Sequence, residues 1–197
     1  MKRATLILLA AIGAGVALGP GPAGAGTEND TVVTSHPGQG GGYVLDVTAT
    51  PGQRNFFNVD DGAGSPAIVI RDTGPGITDE SPKCTQESPT EVQCKPQGLR
   101  RLNVDTGDMG DVSRSVSAST FNSFKLGPGA DEATVSGRAT VKGEGDDDTL
   151  QGRRGNQRLL GGDGPDTITG GSGNKDYCDG EGGDDSGGDG CEKIVSL

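Results

Sequence analysis

Gly161-Gly162-Asp163-Gly164-Pro165-Asp166-Thr167-Ile168-Thr169 decides how this chain is read, because its spacing recurs on both sides of it. Leu150, Leu159, Ile168 and Tyr177 follow one another at nine-residue steps, and Gly155, Gly164, Gly173 and Gly182 keep the same step. In this register six-residue loops fall at 143–148, 152–157, 161–166, 170–175 and 179–184. Such a period fits short strands joined by tight Gly-rich loops and stacked as a solenoid, in which thin rows of Val, Ile and Leu form the core. The loops alternate in charge. Loops one, three and five carry Glu144, Asp146, Asp147, Asp148, Asp163, Asp166, Asp179, Glu181 and Asp184 without Lys or Arg. Loops two and four carry Arg153, Arg154 and Lys175 without a carboxylate. If two nonapeptides complete one coil, the odd loops stack on one edge and the even loops on the other. One edge is then a column of carboxylates.

The rest of the chain agrees with an all-β fold. Short β-branched runs at 43–48, 55–59, 67–71, 99–104, 112–116, 121–126 and 134–141 alternate with turn clusters such as Pro51-Gly52, Asp60-Asp61-Gly62, Gly74-Pro75-Gly76 and Gly127-Pro128-Gly129. A further short strand is expected at 31–34. With 37 Gly, no Trp and four Phe in 197 residues, a large aromatic core is excluded. Gly107-Asp108, Gly110-Asp111 and Gly127-Pro128-Gly129-Ala130-Asp131 echo the C-terminal pattern, so the solenoid is expected to extend backwards in drifted form. A separate N-terminal β-sandwich is the rival arrangement. The organisation read here is a signal peptide at 1–25, an irregular β-solenoid or β-rich region at 26–142, and a parallel β-roll with a C-terminal disulfide loop at 143–197.

Lys2 and Arg3, the apolar run Ala4 to Leu18 and Ala23-Gly24-Ala25 have the order of a secretory signal peptide. The apolar run is too short to span a bilayer. Loss of Lys2 and Arg3 takes the formal charge from −11 to −13. That charge disfavours nucleic acid and anionic membranes and favours cations. Four Cys in a secreted chain imply two disulfides; Cys84 with Cys94 and Cys178 with Cys191 is the local pairing among the three possible. Asn29-Asp30-Thr31 fits a glycosylation acceptor.

Calcium (Ca2+) takes six to eight oxygen ligands in flexible geometry, and Gly lets a loop turn its carbonyls toward an ion. Asp148, Asp166 and Asp184 recur at the sixth loop position, 18 residues apart. The candidate ligands are Asp146, Asp147, Asp148, Gly161, Asp163, Gly164, Asp166, Glu181, Gly182 and Asp184. Three acidic loops leave two gaps, hence about two ions. The stretch 161–169 matches every defined position of G-G-x-G-x-D-x-U-x, and Gly170-Gly171-Ser172-Gly173 begins a second copy. In this the segment 143–187 resembles the hemolysin-type (RTX) calcium-binding repeat family of secreted bacterial proteins. The resemblance implies a parallel β-roll that binds calcium and folds on binding. The even loops depart from the pattern: Arg153 replaces Gly, Gln157 replaces Asp, and Lys175 stands at the Asp position beside Asp176. Cationic side chains there would repel a divalent ion.

Asp72-Thr73-Gly74 and Asp105-Thr106-Gly107 could suggest an aspartic-protease pair, but Asp-Thr-Gly is ordinary turn chemistry and the triplets lie too close in sequence for two half-domains. His36 is the sole His and stands beside Pro37. No motif for nucleophilic catalysis, no EF-hand and no P-loop is present. The expected function is that of a secreted calcium-binding structural or adhesive protein and not an enzyme. The alternative is an accessory or remnant folding module of an extracellular enzyme or toxin.

Overall fold

The computed structural model describes residues 30–60 and 67–197, with the backbone alone for 116–120. The signal peptide, Asn29 and the Asp61-Gly62 part of one expected turn lie outside the described residues. Among the described residues every regular element is a strand: β1 (Thr31–Pro37), β2 (Tyr43–Thr48), β3 (Phe56–Asp60), β4 (Ile68–Asp72), β5 (Ile77–Asp79), β6 (Cys84–Ser88), β7 (Glu91–Cys94), β8 (Leu99–Asp105), β9 (Val112–Pro128), β10 (Glu132–Gly145), β11 (Thr149–Asp163), β12 (Thr167–Thr169), β13 (Tyr177–Gly182), β14 (Ser186–Gly187) and β15 (Lys193–Ile194). The fold is a β-solenoid of about five coils.

Two parallel ladders run its length. One stacks β3, the first halves of β9, β10 and β11, then β12 and β14. The other stacks β2, β8, the second halves of β9, β10 and β11, then β13 and β15. The strands β9 to β11 turn a corner between the two ladders, where the register shifts by three residues between β9 and β10 and by one between β10 and β11. That corner is the even edge; the loops returning to the first ladder form the odd, acidic edge. The strand β10 runs through residues 142 and 143, so the roll continues backwards across them without a break.

The core consists of rows one residue wide. Val47, Val104, Phe124, Val141, Leu159 and Cys178 form one inward row across successive coils. Phe57, Ser113, Ala133, Leu150 and Ile168 form another. All of these side chains are buried. Each large one contributes about 1.5–3 kcal/mol through removal from water, so a chain poor in aromatics is stabilised by repetition. Outside, cations and rings stack along the same ladders: Arg158 lies 4.1 Å and Lys193 4.7 Å from the Tyr177 ring centre, and Arg101 lies 5.0 Å from that of Phe121.

The period slips once on the even side. Leu159 pairs with Cys178, not with Tyr177, so Cys178 is the buried row member and Tyr177 faces outward. The extra residue is absorbed in the loop 170–176. On the far side of β3 and β2, at the first end of the two ladders, the regular parallel pattern ends. The strands β4, β7 and β6 add to β3 antiparallel, while β1 pairs antiparallel with β2 and parallel with β5. This mixed layer continues the same sheet and closes the N-terminal end of the solenoid, as an atypical terminal repeat does. Within 80–98 the strands β6 and β7 form a hairpin, tied by the Cys84–Cys94 bridge between paired residues. Cys178–Cys191 ties the last coil. No helix among the described residues is long and apolar enough to cross a membrane.

Candidate functional site

A backbone N–H in a tight loop cannot reach the strand ladder and needs another acceptor. On the acidic edge the acceptor is an Asp from the following coil. Asp166 Oδ1 accepts the N–H of Asp148 at 2.9 Å, Asp148 Oδ1 that of Asp131 at 2.9 Å, and Asp131 Oδ1 that of Asp111 at 2.5 Å. The ladder reaches Asp185, which accepts from Asp166 at 2.9 Å, and ends upstream where Asp111 accepts from Asn55 at 2.7 Å. The steps along it are 20, 17, 18 and 19 residues, the lengths of the successive coils. The carbonyls of Asp111, Asp131, Asp148 and Asp166 in turn accept the N–H groups of Glu132, Thr149, Thr167 and Ser186. Each of these Asp is thus held to the next coil at two points.

The second carboxylate oxygens are left over. Oδ2 of Asp111, Asp131, Asp148 and Asp166 is buried with no hydrogen-bond partner. Burial pushes these four carboxyls up, Asp111 to about 6, Asp131 to about 7, Asp148 to about 8 and Asp166 to about 6; the backbone N–H bond to each opposes the rise, and neighbouring carboxylates add to it. Burial penalises the charged form of such a carboxylate, and a bound proton or cation relieves that penalty.

The loops are shaped around these groups. A side chain at Gly143 or Gly161 would collide with Oδ2 of Asp148 or Asp166 and with the carbonyl of the next coil, so the first loop position has room for hydrogen alone. The second and fourth positions are left-handed: Gly162 and Gly164 have φ of +128° and +119°. In the looser copies Glu144, Asp146 and Glu181 take the same region at +84°, +71° and +68°. A non-Gly residue there costs about 1–2 kcal/mol. The chain keeps acidic side chains at positions where Gly is the better conformer.

The expected ligands divide by burial. Asp148 and Asp166 are buried in the ladder, with Gly161 and Gly164 in the adjoining loop. Asp146, Asp147, Asp163, Glu181 and Asp184 are exposed along the edge. Gly182 pairs with Asp163, and the counterpart of Gly164 is Gly183. Asp184 does not hold the sixth position; Asp185 does, because the residue added in the loop 170–176 shifts every later position, the last acidic loop included, by one. Asp111, Asp131 and Asp185 belong to the column although the strict nonapeptide misses them. Their signal was the Gly-Asp and Gly-Pro-Gly-Ala-Asp echoes upstream and the doubled Asp184-Asp185. Among the described residues no three His, Cys, Asp or Glu side chains converge as a ready metal-ligand group.

The even edge is built differently. Asp176, not Lys175, holds the loop position there and accepts the N–H of Gln157 at 2.7 Å through Oδ1. Its Oδ2 accepts the N–H of Gly173 at 3.2 Å. Both oxygens are therefore occupied. Glu192 continues the ladder by accepting the N–H of Asp176 at 2.6 Å, and the Gln157 amide donates to the carbonyls of Gly137 and Arg154. Asp72, from the first Asp-Thr-Gly triplet, is a buried structural acceptor for Thr31 Oγ1, the Phe56 N–H and the Gly74 N–H; Asp105, from the second, lies beside Lys125. No family model, no curated protein and no solved structure matches this chain.

Proposed function

We propose that the protein is a secreted structural β-solenoid whose acidic edge binds calcium. The observation that carries this reading is the column of four buried carboxylate oxygens without a hydrogen-bond partner. A divalent cation would balance the charge that burial penalises, and hard carboxylate and carbonyl oxygens are the donors calcium prefers. The residues that would hold it are Asp148 and Asp166, then Asp131 and Asp185 as the column extends. Backbone carbonyls of the stacked loops must supply most of the remaining oxygens, since among the described residues no three His, Cys, Asp or Glu side chains converge. Exposed Asp146, Asp147, Asp163, Glu181 and Asp184 raise the local cation concentration. The nonapeptide resemblance supports the same reading. The even edge, with Asp176 saturated and Arg153, Arg154 and Lys175 nearby, is not a calcium site in it. Two disulfides agree with an oxidising compartment.

Bound calcium supplies charge compensation and a cross-link between coils. A ligand at a hundredfold excess over its dissociation constant stabilises a fold by about 2.7 kcal/mol per site. The test is calorimetric titration of the oxidised mature chain with calcium, with magnesium as control. Saturable binding of about two ions, with a rise in melting temperature that magnesium does not reproduce, is the expected result. No heat and no shift up to several millimolar, the range of typical extracellular sites, would leave a proton-balanced scaffold in place of a calcium-binding one.

A further inference from the structure

The outer face of the first ladder carries a second feature, of opposite charge. Arg71, Asn58, Arg114, Thr134 and Gln151 are paired in one row across β4, β3, β9, β10 and β11. Beside this row the chain turns toward the even edge and brings up Arg153 and Arg154. Together with Asn58, Arg114, Ser115, Thr134 and Ser136 they line a groove of about 400 Å³. A neighbouring hollow of about 320 Å³ shares Asn58 and Arg114 with it and is walled by Phe56, whose surface is 42% exposed.

Among the described residues no carboxylate lines either hollow, in a chain of formal charge −11. Arg114 meets Glu132 at 3.4 Å on the open surface, an exposed pair that a ligand can displace at little cost. Arg153 and Arg154 make no side-chain hydrogen bond and no ion pair among the described residues. A planar guanidinium presents a fork of donors matched to carboxylate and sulfate, and three of them around one groove call for an anionic group. Thr134, Ser136 and Asn58 add hydroxyl and amide groups suited to a polyhydroxylated ligand. Most of the groove wall is carbon, and Phe56 offers a ring on which an apolar sugar face can stack.

We propose that this groove binds an acidic oligosaccharide, its carboxylate or sulfate held by Arg114, Arg153 and Arg154. The acidic edge of the solenoid repels a long, uniformly charged polyanion, so the groove selects a short stretch with spaced charges. An acidic peptide has the charge but not the hydroxyl-rich body that Thr134, Ser136 and Asn58 address.

The test is calorimetric binding of oligogalacturonate and of a chondroitin sulfate tetrasaccharide to the oxidised chain at low ionic strength, in calcium throughout. Binding of either one, weakened by salt, is expected, and the stronger of the two identifies carboxylate or sulfate as the group recognised. The double variant Arg153→Ala/Arg154→Ala should bind about tenfold or more weakly, the scale of lost charge-assisted hydrogen bonds. Lys142→Ala, an exposed cation outside the groove, should bind as the parent does. Both positions in the double variant are exposed, and an unchanged melting curve confirms that its fold is intact. Failure of both saccharides to bind, undiminished binding by the double variant, equal binding of neutral dextran, or tighter binding of an oligoglutamate peptide would each overturn the proposal.

Discussion

Asp166 Oδ1 accepts the backbone N–H of Asp148 from one coil away at 2.9 Å, while Oδ2 of both carboxylates is buried and unpartnered. One half of each group is structural and the other half is available. The substitutions Asp166→Asn and Asp166→Ala separate the two. Asn keeps an acceptor for the Asp148 N–H and removes the charge. Ala removes both and leaves a buried N–H unsatisfied, a loss of about 1–3 kcal/mol. In calcium-free buffer Asn should therefore be at least as stable as the parent at neutral pH, and Ala clearly less stable. Both should lose the calcium-dependent rise in melting temperature. Denaturant unfolding with and without calcium measures all four quantities.

The glycine at the head of each acidic loop is a steric requirement. Gly161→Ala would drive a methyl group into Oδ2 of Asp166 and lies 2.8 Å from the carbonyl of Gly180. It should destabilise by about 2 kcal/mol or more, within the range of overpacking a filled site. Gly145 provides the control, because a methyl there meets nothing within 4 Å and its φ is not left-handed. Gly145→Ala should stay within about 0.5 kcal/mol of the parent. Melting temperatures of the two variants decide the point, and equal losses would contradict the loop packing.

Much of this architecture is legible in the sequence because a solenoid writes its geometry as a period. Leu150, Leu159 and Ile168 are inward row members at the expected nine-residue steps. The alternation of acidic and basic loops becomes two opposite edges. Local proximity also picked the disulfide partners. The slips have one physical origin. A loop can absorb an extra residue while the strands on either side keep their stacking, so counting nine past Ile168 gives Tyr177 where the fold buries Cys178. The same slack replaces Asp184 by Asp185 and Lys175 by Asp176. The antiparallel cap from β4 to β7 has no repeat to announce it, and its pairing depends on contacts with β3 that no local pattern encodes. The drifted coils around Asp111 and Asp131 lie between these cases: their Asp survive, although most of the surrounding nonapeptide does not.

The buried carboxyls set a pH dependence of known sign. Their pKa values, about 6 to about 8, are raised above the ordinary Asp value because burial penalises the charged form. The folded chain therefore holds more protons than the unfolded chain between about pH 4 and pH 8, and stability falls as pH rises through that window. In chelator the denaturant midpoint should be higher at pH 5 than at pH 8. Calcium replaces the protons, so in its presence the pH 8 value should recover and the slope should flatten. Asp148→Asn should weaken the slope in chelator, since Asp148 has the highest of these values. A midpoint that rises toward pH 8 without calcium would mean that the column is charged and otherwise compensated.

Cys178 is the last buried member of the row that begins at Val47, and its bridge to Cys191 holds the final coil against the solenoid. Beyond it Ile194, Val195 and Leu197 are exposed, so apolar burial does little to retain that end. The substitution Cys178→Ala with Cys191→Ala removes the cross-link and keeps a small apolar residue in the row. A native disulfide typically contributes about 2–4 kcal/mol, but in a stacked repeat the loss should concentrate in the neighbouring coils. Hydrogen exchange at β13, β14 and β15 should accelerate strongly, while β9 and β10 keep their protection. Asp185 lies within that coil, so its hydrogen bond to the Asp166 N–H should weaken with it. Uniform acceleration along the whole chain would instead mark the solenoid as a single cooperative unit whose last coil is as firmly held as its centre.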